Sequence, residues 1–454
     1  MTAVPNSWAV AQIADVAEVN PGLDKSEVDD QLEVSFVPMP AVDAGNGRMD
    51  VTATRRFSEV KKGYTPFREG DVLFAKITPC MENGKMAVVP ALQNGHGFGS
   101  TEFHVLRPGE GVSAKYLYYF VSSQQFRRDA EHNMTGAVGQ RRVPAPYLSR
   151  QEIPVPPTNE QCRIVAKIEE LFSELDKGVE SLITAREQLK AYRQSVLKYA
   201  FEGRLIGALR HRNSLWPERP LGELIEFLTS GSRGWADYYS DHGDLFIRAQ
   251  NLKHDRLDFS DIAFVRLPEG NTEGVRTRVR LGDVLITITG ANVTKTGIVD
   301  RDLGAAYVSQ HVALCRLKEA LLPEFLYWYL LAEAGGRRLL NEAAYGAGKP
   351  GLNLDNIRTV LIPVPSVAEQ RAVVSFITTA LESEDRLRSD VSAAESQTAA
   401  LRQSILKQAF SGQLVAQDAS DEPASVLLER IRAEQEEGGA KKRRNNKNGK
   451  KEAA

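Results

Sequence analysis

The chain has 454 residues, of which 42% are hydrophobic and 26% are charged, and its formal net charge at pH 7 is −2. These values are typical of a folded protein of roughly two or three domains, and they exclude a chain that is disordered throughout. They also exclude a globally basic protein, so any contact with nucleic acid must come from local patches of positive charge.

The three cysteines, Cys80, Cys162 and Cys315, stand far apart and have no histidine at the spacing of a metal ligand. This pattern predicts neither a zinc site nor a disulfide framework. No apolar run approaches the length of a membrane span, and the N-terminal residues do not resemble a signal peptide. We therefore expect a cytoplasmic protein that binds no metal and contacts no membrane.

Residues 1–152 alternate short β-like runs with Gly-rich turns. Strands are predicted at residues 34–37, 71–77 and 85–89, and a helix is predicted over residues 114–131. The segment is therefore predicted to be a globular α+β domain.

Residues 153–206 predict one long helix of about 40 residues, on the order of 60 Å in length. The Pro-rich stretch after Ile153 is extended, Thr158 and Gln161 have the spacing of a weak capping box, and Gly203 is placed to end the helix. Apolar residues between these ends step by four and three, as in a coiled-coil seam. The seam positions are Leu182, Ala185, Leu189, Tyr192 and Val196.

Residues 207–361 repeat the element order of the first domain. The stretch Gly70–Leu73 returns as Gly282–Leu285. The stretch Tyr116–Phe120 returns as Phe325–Tyr329, and only this second match has the spacing of 209 positions. The two globular segments are therefore predicted to share a fold, although the loops between these stretches differ. Loops that diverge on a common scaffold are expected where loops carry function.

Residues 362–415 repeat the long helix at the same spacing of 209, without insertion or deletion. Ser366 and Glu369 form a capping box, and Gly412 is placed to end the helix. The seam positions of this copy are Leu387, Val391, Ala394, Leu401 and Ile405. Neither helix can bury its apolar stripe alone, so we expect the two helices to pair with each other.

Residues 416–454 form a polar tail with one short helix predicted near residues 425–436 and a basic run at residues 441–444. A solvated, partly disordered end is the favoured interpretation, and a weak nonspecific contact with DNA is the alternative.

Motifs for catalysis are absent from the sequence. Residues 346–349 have the composition of a phosphate loop, but Pro350 stands where Ser or Thr is needed to bind magnesium. No Asn-Pro-Pro-aromatic set, nucleophile elbow or His-Glu-x-x-His helix is present. We therefore predict a protein that is not an enzyme.

The chain resembles the specificity (S) subunit of type I restriction-modification systems over residues 1–415. The resemblance rests on three motifs that each occur twice: the Ile-Pro-x-Pro stretch before each long helix, the following Glu-Gln, and the terminal Leu-Lys-x-Ala-Phe-x-Gly-x-Leu. It implies an α+β fold in which two target recognition domains are separated by two long helices that pair as an antiparallel coiled coil, with an internal pseudo-twofold repeat. The implied divisions are 1–152 and 207–361 for the recognition domains, 153–206 and 362–415 for the helical spacers, and 416–454 for the tail.

The resemblance also implies the partners of the chain. These are double-stranded DNA, two methyltransferase (M) subunits that dock on the paired helices, and motor-nuclease (R) subunits in the full complex. The chain itself binds no cofactor, whereas S-adenosylmethionine, ATP and Mg are expected on the partner subunits. Two domains in opposite senses would read a target of two unlike half-sites separated by a gap.

Side chains that read DNA are expected to be polar or cationic and to lie on loops that face a groove. The candidates follow the Gly-Asp-Val-Leu strands, lie before the spacers, or lie early in the second domain, whereas the Tyr118 and Trp328 cluster is predicted to be helix core. The candidates in the first domain are Lys76, Thr78, Asn83, Lys85, Gln140, Arg141 and Arg142. Those in the second are Ser232, Arg233, Trp235, Gln250, Asn251, Thr287, Thr289, Asn292, Thr294, Lys295 and Lys349. For each one, an exposed polar side chain or a turn hydrogen bond is an equally good interpretation.

Two other functions are consistent with parts of the sequence. A fused restriction-methylation enzyme would also carry recognition domains, but it would need the cofactor loop and catalytic tetrapeptide that are missing here. A protein-protein scaffold with a coiled coil would never touch DNA, and a salt-dependent DNA shift assay distinguishes it from a reader of DNA.

Overall fold

The computed structural model describes residues 4–137, 139–202, 216–253, 255–268, 272–346 and 350–449. The chain divides into two compact units, which we call unit 1 (residues 1–181 and 394–454) and unit 2 (residues 182–393). Each unit therefore contains one globular part and a segment of each long helix.

The globular part of unit 1 is built on two four-stranded sheets. Its elements are β1 (Ala9–Gln12), α1 (Ile13–Val16), β2 (Ala17–Val19), β3 (Glu33–Val37), β4 (Thr54–Arg56), α2 (Phe57–Val60), β5 (Thr65–Phe67), β6 (Val72–Ala75), β7 (Met86–Val88), β8 (Gly97–Gly99), β9 (Phe103–Pro108), α3 (Ala114–Ser122), α4 (Gln124–His132), α5 (Ala145–Arg150) and β10 (Glu152–Val155), followed by the long helix α6 (Thr158–Phe201). One sheet has the order β2-β9-β6-β7 and is antiparallel, and the other has the order β4-β3-β8-β5, in which β3 and β8 are parallel. Strand β1 pairs with β10 just before α6 begins.

The three strands predicted in this domain are confirmed as β3, β6 and β7. The single helix predicted over residues 114–131 is instead two helices, α3 and α4, because Ser123 between them has an extended backbone and its side chain caps α4 through the N–H of Phe126. Apolar periodicity continues across such a break, so it did not reveal the break in the sequence.

The globular part of unit 2 repeats this architecture. Its elements are β11 (Glu218–Pro220), α7 (Leu221–Leu224), β12 (Ile225–Ser230), β13 (Tyr239–Ser240), β14 (Asp244–Ile247), β15 (Leu252–Lys253), β16 (Arg256–Leu257), β17 (Ala263–Val265), α8 (Thr272–Thr277), β18 (Val284–Thr287), β19 (Thr296–Ile298), β20 (Ala306–Val308), β21 (Val312–Leu317), α9 (Pro323–Leu331), α10 (Gly336–Ala343), α11 (Leu354–Thr359) and β22 (Leu361–Pro363), followed by the long helix α12 (Val367–Phe410) and α13 (Ala424–Gly449). Its sheets have the orders β12-β21-β18-β19 and β13-β17-β14-β20, and β14 and β20 are parallel. The predicted common fold is therefore confirmed.

The aspartate of the repeated Gly-Asp-Val-Leu stretch is buried and forms an ion pair with an arginine of a neighbouring strand in both units. The Arg107 guanidinium donates to both carboxylate oxygens of Asp71 at 2.8 Å. In unit 2, Arg316 donates to Asp283 at 2.8 and 2.7 Å. The aspartate side chains are only 1% exposed, so this motif holds the central sheet and does not face solvent.

Helices α6 and α12 each have 44 residues, which corresponds to a length of roughly 66 Å. In unit 2, Arg193 of α6 binds Glu384 of α12 at 2.9 Å, and Tyr199 packs on Phe376 with ring centroids 5.8 Å apart. The contacting residues on α12 have lower numbers as the residue numbers on α6 increase, so the two segments are antiparallel, as predicted.

The predicted coiled-coil seam is only partly correct. Leu189 and Val196 are at least partly buried, but Tyr192, Leu387 and Leu401 are 49%, 52% and 52% exposed. Near its C-terminal end each helix packs on a globular part as well as on its twin, so the buried face shifts toward positions such as Leu197 and away from the predicted stripe.

The two long helices use the repeated Glu-Gln pair in different ways at their starts. Ser366 and Glu369 form the predicted capping box, with the Ser366 N–H 2.8 Å from the Glu369 carboxylate. The box predicted for Thr158 and Gln161 is wrong, because the Thr158 hydroxyl donates to the Gly111 carbonyl and Gln161 is fully buried against the globular part. A backbone carbonyl of the globular part competes with the cap for the Thr158 hydroxyl, and this cannot be read from spacing alone.

The end of α12 and the tail are packed on unit 1. Gly412 has a positive φ of 72°, as expected for the residue that ends the helix, whereas Gly203 lies outside the described residues. Leu427 and Ile431 of α13 are buried in the same core cluster as Ile13 of α1. The short helix predicted at residues 425–436 is therefore part of a longer helix, which ends at residue 449. The side chains of the basic run at residues 441–444 lie outside the described residues.

Candidate nucleic-acid interface

In unit 1 the loop after β6 lies against the loop that precedes α5. The Thr78 N–H donates to the carbonyl of Arg141 at 3.0 Å, and the Val143 N–H donates to the carbonyl of Lys76 at 2.8 Å. The structure therefore brings the two predicted stretches of the first domain together on one surface. We call this surface the unit 1 platform, and it comprises residues 76–85, 134–137 and 139–143.

Unit 2 has the equivalent surface. Tyr345 and Gly351 exchange backbone hydrogen bonds, both at 2.9 Å, as Thr135 and Arg142 do at 2.9 and 2.8 Å in unit 1. Gly351 therefore occupies the place of Arg142, and the same backbone supports different side chains. We call this surface the unit 2 platform, and it comprises residues 288–296, 345–346 and 350–352.

Three candidates in unit 1 hold the platform together. The Lys85 ammonium donates to two backbone carbonyls, at 2.8 and 3.2 Å. The Arg142 guanidinium donates to both oxygens of Glu102 at 2.9 and 2.8 Å, and this hydrogen bonding lowers the pKa of the Glu102 carboxyl. The Thr78 hydroxyl donates to Glu82 at 2.8 Å. These side chains are already committed to internal partners, so we assign them to support of the loops.

Four other candidates in unit 1 are available at the surface. Asn83 and Gln140 are exposed, and the side chain of Arg141 is 40% exposed and lies 3.9 Å from the Glu131 carboxylate. Lys76 is partly buried, and no carboxylate lies within ion-pair distance of its ammonium in the described part of the chain. Unit 1 thus offers two cations and two amides to a polar or anionic ligand.

Four candidates in unit 2 are buried, so their side chains do not face solvent in this structure. Trp235, Asn251, Thr287 and Thr294 are 4%, 2%, 0% and 4% exposed. Trp235 stacks on Phe246 with ring centroids 4.7 Å apart, and the Asn251 side chain bonds only to backbone groups of its own loop. Residue type suggested a polar surface at these positions, but burial is decided by which side of the sheet or loop faces the core.

The remaining unit 2 candidates are accessible, except that Lys349 lies outside the described residues. Ser232, Arg233, Gln250 and Thr289 are exposed, and Asn292 and Lys295 are partly buried. Lys295 is 3.8 Å from Asp255, and the Gln250 amide donates to Asp261 at 2.7 Å. Arg233 has no carboxylate partner among the residues that the structure describes, so it is the best placed cation of this set.

Sequence reasoning missed a cationic edge in unit 1. Thr54–Arg56 is the whole of β4, an edge strand whose three side chains are all exposed. The Arg55 guanidinium lies 3.9 Å from the ring centroid of Phe36, so it is held in place by a cation-π contact. The Arg-Arg pair itself was the available signal, because charged residues are common on the exposed edges of sheets.

The comparisons with known proteins agree on one family. The family model for the type I restriction modification DNA specificity domain matches residues 5–185 and 213–389, one match in each half of the chain. Within the part of the chain that is described, no helix is both long and apolar enough to cross a membrane.

Three relatives with known names are specificity subunits. The chain is 39% identical to that of the type I restriction enzyme EcoAI of Escherichia coli over 194 residues, a match that covers 42% of this chain but only 32% of the EcoAI subunit. It is 24% identical to the EcoEI subunit of E. coli over 480 residues, covering 86% of this chain and 80% of that one. It is also 24% identical to the EcoKI subunit of E. coli strain K12, and this match covers 95% of this chain and 96% of the EcoKI subunit.

Two solved structures have a similar fold. One is a chain from a study of complex assembly and conformational transition of the type I R-M system, with a TM-score of 0.71 at 21% identity, covering 91% of this chain and 100% of that chain. The other is the HsdS subunit from Thermoanaerobacter tengcongensis, with a TM-score of 0.51 at 22% identity. This match covers 90% of this chain and 98% of the HsdS chain.

Proposed function

Because the chain belongs to the type I restriction-modification DNA specificity family, we propose that it is the non-catalytic subunit that reads the DNA target for its complex. The observation that carries this proposal is the pair of equivalent platforms, which share a backbone and differ in the side chains they expose. Two readers with different side chains would recognise two unlike half-sites on double-stranded DNA.

The accessible candidates supply suitable chemistry for this reading. Lys76, Arg141 and Arg233 are cations that suit phosphates or guanine edges, and Asn83 and Gln140 are amides that suit adenine. We extend the set to Arg55 and Arg56, whose exposed edge suits the phosphate backbone. The buried candidates Trp235, Asn251, Thr287 and Thr294 would support the loops from the core side.

The long helices provide two further roles in this proposal. They act as a ruler that fixes the gap between half-sites, and they dock two methyltransferase subunits. Tyr192 and Leu401, which are 209 positions apart in the repeat, are both about half exposed, and equivalent apolar positions in both copies suit two copies of one partner. S-adenosylmethionine would bind on those subunits, and ATP and Mg on motor-nuclease subunits that join them. We place the complex in the cytoplasm, where its DNA lies.

Co-expression with the cognate methyltransferase subunits, followed by sequencing of the methylome, tests the whole proposal. We expect methylation at one bipartite sequence, on both strands, with a fixed gap. Methylation without sequence preference, or at a single continuous site, would contradict it. The purified chain alone should show no turnover, and its sequence-specific binding should weaken steeply as salt rises.

Insertion of one heptad into α6 at residues 180–190 tests the ruler separately. We expect the gap to change, or binding to be lost, while the base preference of each half-site stays the same. An unchanged gap would contradict the ruler and would leave the assignment of the platforms standing. A chain that joins the methyltransferase subunits but binds no DNA would instead support the scaffold alternative.

A further inference from the structure

In unit 1, two glutamine side chains fasten the globular part to the long helices at the two ends of α3. The Gln161 carbonyl oxygen, on α6, accepts the N–H of Ser113 at 2.8 Å, just before α3 begins. The Gln403 carbonyl oxygen, on α12, accepts the N–H of Gln124 at 3.0 Å, just after α3 ends. Helix α3 is therefore held at one end by α6 and at the other end by α12.

Unit 2 repeats this arrangement with the roles of the helices exchanged. Gln370, on α12, accepts the N–H of Leu322 at 2.8 Å before α9, and Gln194, on α6, accepts the N–H of Glu333 at 2.9 Å after it. Each glutamine and each partner is separated from its counterpart by 209 positions. A contact of this geometry that is formed twice from repeated residues is a feature of the scaffold and not an accident of one loop.

The two clamps of each unit differ in burial. Gln161 and Gln370 are fully buried, and each also donates to a backbone carbonyl just before its own helix, at 3.0 and 2.9 Å. Gln403 and Gln194 are partly exposed. Replacing either buried glutamine would leave buried backbone groups unpaired, whereas the partly exposed pair can be changed without emptying the core.

A cleft of about 450 Å³ adjoins the Gln403 clamp within unit 1. Its walls include Arg48 and Arg127 of the globular part and Asp176 and Arg402 of the helices. The packing between the globular part and the helix pair is therefore interrupted at this point. The hydrogen bond from Gln124 to Gln403 adds a directional polar contact beside this cleft. It supplements the packing of Tyr116 and Phe120 on Phe410, with ring centroids 5.4 and 5.3 Å apart.

We propose that Gln403 and Gln194 are positioning residues that fix the orientation of each recognition domain on the helix pair and so set how strictly the protein selects the DNA gap. This inference rests on the proposed function above. A domain held at both ends of one helix presents its platform in one direction, and binding to the correct gap then costs little orientational entropy. Loss of one clamp leaves the packing of α3 on the helices in place but loosens its orientation at that end, so the protein loses affinity for the correct gap and loses little for a wrong one.

The test compares Gln403→Met, which keeps the side-chain length but removes the acceptor, with Gln403→Glu, which keeps an acceptor oxygen. Binding of the full chain is measured on duplexes that carry both half-sites with the correct gap, and with the gap one base pair shorter or longer. We expect Gln403→Met to weaken binding at the correct gap about fivefold, the effect of one lost hydrogen bond, and to change binding at the wrong gaps less than about twofold. Gln403→Glu should restore the preference of the unaltered chain.

Gln194→Met should have the same effect through unit 2, and Ser404→Ala, an exposed neighbour of Gln403, should have none. Equal weakening of Gln403→Met at every gap would indicate general destabilisation and would overturn the inference, as would an unchanged preference. If the unaltered chain itself shows no gap preference, the proposed function fails first and this inference fails with it. If the unaltered chain prefers the correct gap and Gln403→Met prefers it equally, only this inference is contradicted and the proposed function stands.

Discussion

The two units are the same scaffold used twice with different surfaces. Several residues that recur at the spacing of 209 have internal partners, such as the glutamines that clamp α3 and α9. Side chains on the platforms differ between the units: the partly exposed Arg141 of unit 1 is matched by Pro350, 209 positions later, in unit 2. The comparison teaches that repeated residues such as these glutamines support the scaffold. The platform residues that differ between the units are the ones that we assign to DNA recognition.

One repeated residue has acquired a different environment in each unit. Glu369 is partly exposed and caps α12 through Ser366, whereas Glu160 is 1% exposed. The segment that follows α12 covers Glu160, and the Gln417 amide donates to it at 2.5 Å. The same motif therefore carries a capping role in unit 2 and a buried carboxyl in unit 1.

Removal of the shared buried ion pair should have the largest effect. Asp71→Ala leaves the Arg107 guanidinium without its partner, and we expect a loss of about 3 to 5 kcal/mol from the stability of unit 1, with Asp283→Ala doing the same to unit 2. Hydrogen exchange of the amides of β6 and β18 measures each unit separately. Asp30→Ala, which breaks an exposed pair with Lys61, is the control and should cost less than about 1 kcal/mol. Similar costs for Asp71→Ala and Asp30→Ala would contradict the prediction.

A change to an exposed cation of unit 2 should affect one half-site only. Arg233→Ala should weaken specific DNA binding by roughly 1 to 3 kcal/mol and relax base preference in one half-site. Arg219→Ala is the control, because Arg219 is exposed but already paired with Glu223 at 2.9 Å. A selection from randomised half-sites measures both variants. Equal behaviour of the two variants, or relaxation of both half-sites together, would be evidence against the assignment.

The starts of the two long helices should respond unequally to loss of a hydroxyl. Ser366→Ala removes the cap of α12 and should cost about 1 kcal/mol, visible as faster hydrogen exchange at residues 367–370. Thr158→Ala should leave exchange at the start of α6 nearly unchanged, because the Thr158 hydroxyl bonds to Gly111 and does not cap its helix. Faster exchange at the start of α6 as well as α12 would show that Thr158 also caps.

The smallest effect concerns the buried carboxyl and its pH dependence. Burial raises the pKa of Glu160 above its ordinary value of 4.5. The folded chain therefore holds that proton more tightly than the unfolded chain, so the charged carboxylate costs stability above the raised pKa and the cost disappears as the pH falls below 4.5. Glu160→Gln should raise the unfolding temperature of unit 1 at neutral pH, and its advantage should shrink on acidification. An advantage that grows with acid would reverse the sign and refute this account.

Much of the scaffold could be predicted from the sequence. The gap-free repeat predicted both long helices, their equal length and the common fold, and the capping box at Ser366 was legible because its partners are three residues apart. For the candidate site, residue types could be read from the sequence but their burial could not. Thr287 and Trp235 have residue types that suit DNA contact, but one lies in a central strand and the other in an aromatic cluster, and no local pattern distinguishes those places from a surface.

The sequence by itself therefore determined the periodic features: two copies, two long helices and two domains of one fold, because repetition and apolar spacing are properties of the chain in order. Only the tertiary structure decided which polar side chains face solvent, why Gln161 leaves its capping box for a buried contact, and where α13 packs. These outcomes depend on which of several hydrogen-bond and packing partners, distant in sequence, a side chain contacts. Burial and geometry decide between those partners.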